Sequence, residues 1–248
     1  ISNANLLKIG LQYVQDFDGL IIAFAQDKTI KGNGVVHEGI VSTTLGLKGI
    51  PALAEEIEIA KNLFLLEYTG GKVHIPTISS AKSVSLIKEA KQKGLQVTCS
   101  VAVHNLVLTD EILTEFDTRT KVLPPVRDEK HRQALINGVL DHTIDMITSD
   151  HNPLDIEHKK MEYDKASFGT IGLESAFAAL QTVLPTKVII DKLTSAKSTF
   201  SIPSYTININ QKANLTLFTP NSEQEFTKSD IYSKSKNAIF LKHKTKGK

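Results

Sequence analysis

The stretch Thr143-Ile144-Asp145-Met146-Ile147-Thr148-Ser149-Asp150-His151-Asn152-Pro153 decides the fold. Its first six residues are largely β-branched or apolar, and the run is short enough to be one buried strand. Ser149-Asp150-His151 then sets a carboxylate and an imidazole at the strand's C-terminal end, and Asn152-Pro153 breaks the regular structure. In parallel α/β folds the C-terminal strand ends build the active site. Asp150 is therefore the leading catalytic candidate, a group able to shuttle a proton or ligate a metal. The plainer reading is a loop cap near the surface.

Outward from this strand the sequence alternates strands with helices. Residues 20–24, 72–77 and 96–101 form three more apolar runs of strand length. Pro51 opens a helical spacing through Glu55, Ile59, Leu63 and Leu66, which Gly70-Gly71 ends. Ser79 or Ser80 can cap a helix over 81–93 that Gly94 stops. Further helices are predicted over 126–139, 171–182 and 186–193, with a short one from Thr109. Such alternation argues for βαβ units and a parallel sheet. Right-handed crossovers leave an open doubly wound sheet or a (β/α)-barrel. Four strand–helix units are half of the eight a barrel needs, so as a barrel the chain is expected to begin in mid-fold. No Gly-x-Gly-x-x-Gly follows a strand, which leaves a dinucleotide site without support. From Ser201 onward the chain turns polar and β-rich, with 214–218 the best strand.

The 29 basic and 27 acidic residues nearly cancel, at +2, so neither a nucleic acid nor an anionic membrane is an expected partner. Cys99 is the single cysteine; it excludes an internal disulfide and fits a reducing, cytoplasmic setting. No apolar run is long enough to span a membrane, and residues 1–10 do not read as a signal peptide.

The other reactive side chains give weaker signals. None of the eight histidines forms His-x-His or His-Glu-x-x-His. His74 lies inside a strand and reads as a hydrogen-bonded core histidine. His104 follows a strand and could point into a site. His131, His142, His158 and His243 read as solvated surface, as do Lys159-Lys160 and the basic run 242–248. Mid-strand Cys99 reads as a small buried hydrophobe. Gly169 and Gly172, beside a helix start, either offer backbone N–H groups to an anion or make a tight turn.

Several segments together carry a resemblance. Lys121-Val122-Leu123-Pro124-Pro125-Val126-Arg127, followed by Arg132 to Gly138, resembles the V-N-P-P-L-R … R-x-A-L-I-x-G stretch of class I dihydroorotases. The run Ile144 to Pro153 resembles their I-D-x-x-x-T-D-H-A-P-H segment, and Phe168 to Glu174 resembles P-G-x-x-G-L-E. Glu38-Gly39 to Leu47, Gly70-Gly71, Val97-Thr98-Cys99, Lys212 to Leu215 and Ser233 to Asn237 also fit, in family order.

The resemblance implies an α/β fold: a (β/α)8 TIM-type barrel of the amidohydrolase kind with its second half present, plus a small β-rich domain. Residues 1–200 would be the half-barrel and 201–248 part of the small domain. It implies a zinc-dependent hydrolysis of the cyclic amide of dihydroorotate, in pyrimidine biosynthesis. Asp150 would be the proton shuttle, and Phe168 and Gly169 would touch substrate. The departures point elsewhere. The histidine ligands of the fifth and sixth strands fall at Phe24 and Thr77, a substrate-binding asparagine at Leu123, and a further histidine at Leu154. Phenylalanine has no lone pair for zinc and a threonine hydroxyl is a poor substitute for imidazole. The expectation is thus of no metal ligand in this chain, zinc absent or incomplete, and a catalytically silent homologue. Such a protein would partner aspartate carbamoyltransferase and form homo-oligomers. An active dihydroorotase or a related cyclic amidohydrolase is the alternative.

Overall fold

The computed structural model describes residues 3–204 and 207–247. Lys248, the end of the basic run, and residues 205–206 of the expected tail domain lie outside the described residues. In chain order the helices are α1 (Ala4–Val14), α2 (Lys28–Lys31), α3 (Ile40–Leu45), α4 (Leu53–Thr69), α5 (Ala81–Gln92), α6 (Val103–Val107), α7 (Glu129–Leu140), α8 (Ala176–Leu180), α9 (Thr186–Thr194) and α10 (Ala196–Thr199). The strands are β1 (Ile21–Ile22), β2 (Val36–His37), β3 (Gly49–Ile50), β4 (Val73–Ile75), β5 (Val97–Ala102), β6 (Met146–Thr148), β7 (Glu223–Glu225) and β8 (Lys244–Lys246).

The main sheet runs β1-β4-β5-β6, with every neighbouring pair parallel. Ile21 faces Val73, Val73 faces Val97, and Ser100 faces Met146 across the ladders. These are the four strands anticipated from the apolar runs; three are shorter than expected, and β5 is shifted one residue onward, to Ala102. α4 and α5 fill the crossovers from β1 to β4 and from β4 to β5, as a parallel sheet requires. Ile59, Leu63 and Leu66 of α4, Val84 and Ile87 of α5, and Leu135 and Val139 of α7 bury one face each against the sheet residues Val73, Ile75, Cys99 and Val101. Each such side chain contributes about 1.5–3 kcal/mol on leaving water.

The end of each helix follows from its sequence. Asn3 caps α1, Ser80 caps α5 through Ser83 N–H, and Asp128 caps α7 through His131 N–H. The helix anticipated from 126 begins only at Glu129, because Asp128 takes the cap. The one anticipated over 171–182 shrinks to α8, because Thr170 and Ile171 are drawn into extended bridges with His151 and Ala238.

The tail differs from expectation. Residues 214–218 form no strand: Leu215 and Leu217 alternate as a strand's would, but no sheet edge lies beside them and both stay exposed. The tail's pairing is instead the antiparallel β7–β8 ladder. Phe226, Ile231, Ala238, Ile239 and Phe240 pack into the same core as the sheet. Lys159, expected to be solvated, is buried, and its Nζ donates to the carbonyls of Thr118 and Lys121 at 2.9 and 3.0 Å. Cys99 is the small buried hydrophobe anticipated; burial pushes its thiol up to about 12. No described helix is long and apolar enough to cross a membrane.

One buried polar network joins the pieces. Glu55 Oε1 accepts from Ser79 N at 2.8 Å, Ser80 N at 3.0 Å and Ser83 Oγ at 2.6 Å, and Oε2 accepts from Ser79 Oγ. Arg127 Nε donates to the same Ser79 Oγ at 2.8 Å, and its Nη1 donates to His37 Nδ1 at 3.0 Å. Arg127 Nη2 stands 3.7 Å from Glu55 Oε2. Both charges are almost wholly buried. Breaking one member of such a pair costs about 3–5 kcal/mol, since the other stays buried without compensation. Glu55→Ala is therefore expected to lower unfolding stability by about that much, against about 1 kcal/mol for Ser83→Ala. A urea titration reads both as midpoint shifts at unchanged slope; equal, small shifts would mean that the network is dispensable.

Candidate active site at the barrel mouth

The C-terminal ends of the parallel strands open into one cavity of about 740 Å³. Phe24, Thr77, Leu123 and Asp150 all line it, so four positions far apart in sequence meet in one place. Ile22, Met146, Leu173, Phe177 and Phe200 make the rest of the wall mostly apolar.

The backbone is strained at two of these positions. Thr77 has φ 49° and Asp150 has φ 48°. A left-handed conformation is unusual for any residue with a Cβ, and most of all for a β-branched one. It costs on the order of 1–3 kcal/mol and persists only where neighbours enforce it. Here the enforcing groups are hydroxyls: Thr77 N–H donates to Ser100 Oγ at 3.1 Å, and Asp150 N–H to Thr148 Oγ1 at 3.2 Å.

Burial raises the Asp150 carboxyl above its ordinary value. Its nearest imidazole is His104, whose Nε2 lies 3.9 Å from Asp150 Oδ2, fully buried and without a hydrogen-bond partner. Burial holds His104 down to about 4, so at neutral pH it is uncharged and the two groups are not an ion pair. His74 is the hydrogen-bonded core histidine expected, with Nδ1 2.9 Å from Thr98 Oγ1 and its ring edge-on to Phe200.

Phe168 and Gly169 do not line this cavity. The Phe168 ring is held between Lys31 Nζ at 5.1 Å and Lys121 Nζ at 4.9 Å. Gly169 N–H donates to Lys121 O, and at φ +139° a Cβ there would meet Asn152 Nδ2 at 2.6 Å. The N–H groups of Gly172 and Leu173 both point at His151 Nδ1, 3.3 Å away. These amides are engaged inside the protein, which is the tight-turn arrangement. Leu154 lies outside the cavity, its carbonyl accepting from Ser235 Oγ.

The donors that this chain brings to the mouth do not by themselves make a zinc site. A catalytic zinc needs three protein ligands. Asp150 offers one carboxylate, Phe24 offers nothing, Thr77 offers a neutral hydroxyl, and His74 gives one ring nitrogen to Thr98. Among the described residues the one three-ligand cluster lies elsewhere, at His37, Asp128 and His131, whose ligand atoms fall within 4.8 Å of one another. Sequence reading missed it. His131, expected to be solvated, is half-buried and accepts from Ala81 N–H at 2.9 Å. Only the fold brings His37 beside it.

A dihydro-orotase-like family model matches residues 1–83. Proteins named dihydroorotase from Pelotomaculum thermopropionicum and a Thermoanaerobacter species are 39% and 40% identical to the whole of this chain. Over its whole length the chain is thus similar to proteins named dihydroorotase. It spans 60% and 59% of the length of those two relatives. L-hydantoinase (dihydropyrimidinase) from Arthrobacter aurescens superposes with a TM-score of 0.85 over 99% of the chain and 58% of its own, at 21% identity. A D-hydantoinase gives 0.81 over the same shares at 19%. At such identities the likeness establishes the fold alone, a (β/α)-barrel to which this chain supplies four parallel strands.

The two histidines depressed furthest give a pH dependence. His37 and His104 both titrate near 4 in the folded chain, against 6.5 when free. Between these values the unfolded chain binds more protons, so stability is complete above about 6.5 and is lost as pH falls towards 4. The raised carboxyls of Asp110 and Asp150 act in the opposite sense above 3.8 and offset part of this. Unfolding free energy measured across this window should slope upward with pH, and His104→Leu should flatten the slope. An unchanged slope in that variant would mean His104 is not held neutral.

Proposed function

We propose that this chain is the barrel part of a dihydroorotase-like homologue that has lost hydrolysis and acts as a structural partner of aspartate carbamoyltransferase. The observation that carries the reading is the composition of the mouth. Phe24 and Thr77 stand at the ends of β1 and β4 with Leu123 beside them, and the donors present do not by themselves make a zinc site. Without a metal, no group here makes hydroxide from water at neutral pH: Asp150 is a weak base and the free nitrogen of His104 is buried. Leu123 also removes hydrogen bonding that a polar ring would need, and an unpaired polar ligand binds poorly.

A partner role is supported by the surface. Leu6, Ile9, Tyr13 and Phe17 of α1 and its following turn are exposed, as are Phe64 and Tyr68 of the neighbouring α4. Apolar groups of this kind suit a desolvated interface, with the rest of the barrel, with the carbamoyltransferase or with a second copy. A second reading, an active zinc-dependent dihydroorotase or related cyclic amidohydrolase, is favoured by Asp150. Its strained backbone and raised carboxyl are what a proton shuttle would need, if ligands came from outside these residues.

The test is dihydroorotate hydrolysis by the full-length protein after zinc loading, with bound zinc counted on the same sample. The expected result is zinc well below one per chain, no turnover, and co-elution with aspartate carbamoyltransferase. Stoichiometric zinc with turnover would sink the silent-homologue reading and install the second.

A further inference from the structure

A groove of about 970 Å³ lies between α3, the Asp110–Glu115 turn and the start of α7, and shares no lining residue with the barrel mouth. Ile40, Val41, Val107, Leu108 and Ile112 give it apolar walls, and Ile40 is 87% exposed. Asp110, Glu111 and Asp128 give it acid.

Asp110 is the unexplained member. It is 5% exposed, and its carboxylate accepts no hydrogen bond from another residue; only its backbone is engaged, donating to Arg127 O. Its carboxyl faces the groove, so a group that enters there is what would pair with it. No basic group of the groove does. Arg132 is spent on Glu129, with two bonds of 2.6 Å, and on Leu106 O. His243 is kept neutral by burial and by Arg119.

The nearby trio of His37, Asp128 and His131 does not make this a metal site. Arg127 Nη1 donates to His37 Nδ1 and Ala81 N–H donates to His131 Nδ1. Both donors always carry hydrogen, so each neutral imidazole keeps its own proton on Nε2. A metal needs that lone pair free and the other nitrogen donating. The two Nε2–H groups suit the Asp128 carboxylate instead, which stands 3.8 Å from His37 Nε2. Asp110 and Glu111 are left as the uncompensated charges.

We propose that this groove binds an alkylammonium group, a protonated primary amine on an apolar stem, with Asp110 as its counter-ion and Ile40, Val41 and Val107 along the stem. Such a group is presented by a lysine side chain of a partner or by a small free amine. A metal ion would gain nothing from the walls.

The experiment is a titration of the full-length protein with n-butylammonium chloride, followed by chemical shifts of the Ile40 and Val41 methyls and by calorimetry. Nα-acetyl-lysine amide is then added as competitor. The expected result is saturable binding that weakens about tenfold or more in Asp110→Asn. Asp110→Asn should also unfold no more easily than the parent, because it removes a charge set against Asp128 and Glu111. Displacement by the lysine amide assigns the groove to a protein lysine; persistence of bound butylammonium assigns it to free amines. No saturable shift, or binding unchanged in Asp110→Asn, overturns the proposal. So does zinc that displaces the amine and moves the His37 and His131 ring resonances.

Discussion

The Glu55–Arg127 network is the constraint on which the rest depends. Glu55 is fixed at the start of α4, and its two oxygens hold the N–H groups and hydroxyls that turn β4 into α5. Arg127 anchors the Pro124–Pro125 segment to the same turn and reaches His37 at the end of β2. Through one ionic centre the structure thus fixes where Leu123 enters the barrel mouth and where Asp128 caps α7. Ion pairs so deep seldom add net stability over apolar replacements. What this one adds is a single geometry for the segments it joins.

At the barrel mouth a similar constraint acts on the backbone. The left-handed backbone at Thr77 and Asp150 is enforced by Ser100 and Thr148. Side chains are therefore aimed into the cavity whether or not they can do chemistry. Electrostatics there follow from dryness: with Phe24, Leu123, Leu173 and Phe177 around it, the site disfavours charge, which raises the Asp150 carboxyl and suppresses protonation of His104.

Much of this fold was legible in the residues. Pro51 and Gly70 bracketed α4, Ser80 and Gly94 bracketed α5, and four apolar runs located the sheet, because caps, turns and periodicity are local facts. Asp150 was legible as a strand-end acid for the same reason. The tail was not: Leu215 and Leu217 have strand alternation but no edge to pair with, and pairing is a property of the whole chain. Lys159 looked like surface charge because lysine usually is, and nothing local marked Lys121 as buried. Only the folded loops show four carbonyls waiting for their ammoniums. His37, Asp128 and His131 carry no common spacing, and neither does the groove beside them.

Cys99 has a practical consequence. The only sulfur nucleophile in the sequence sits in mid-sheet with its thiol pushed up to about 12, so almost none of it is thiolate at neutral pH. Maleimides and other thiol reagents will pass it by while the protein is folded. The chain is in effect a cysteine-free background, in which one engineered surface thiol can carry a fluorophore or spin label without removing a native residue.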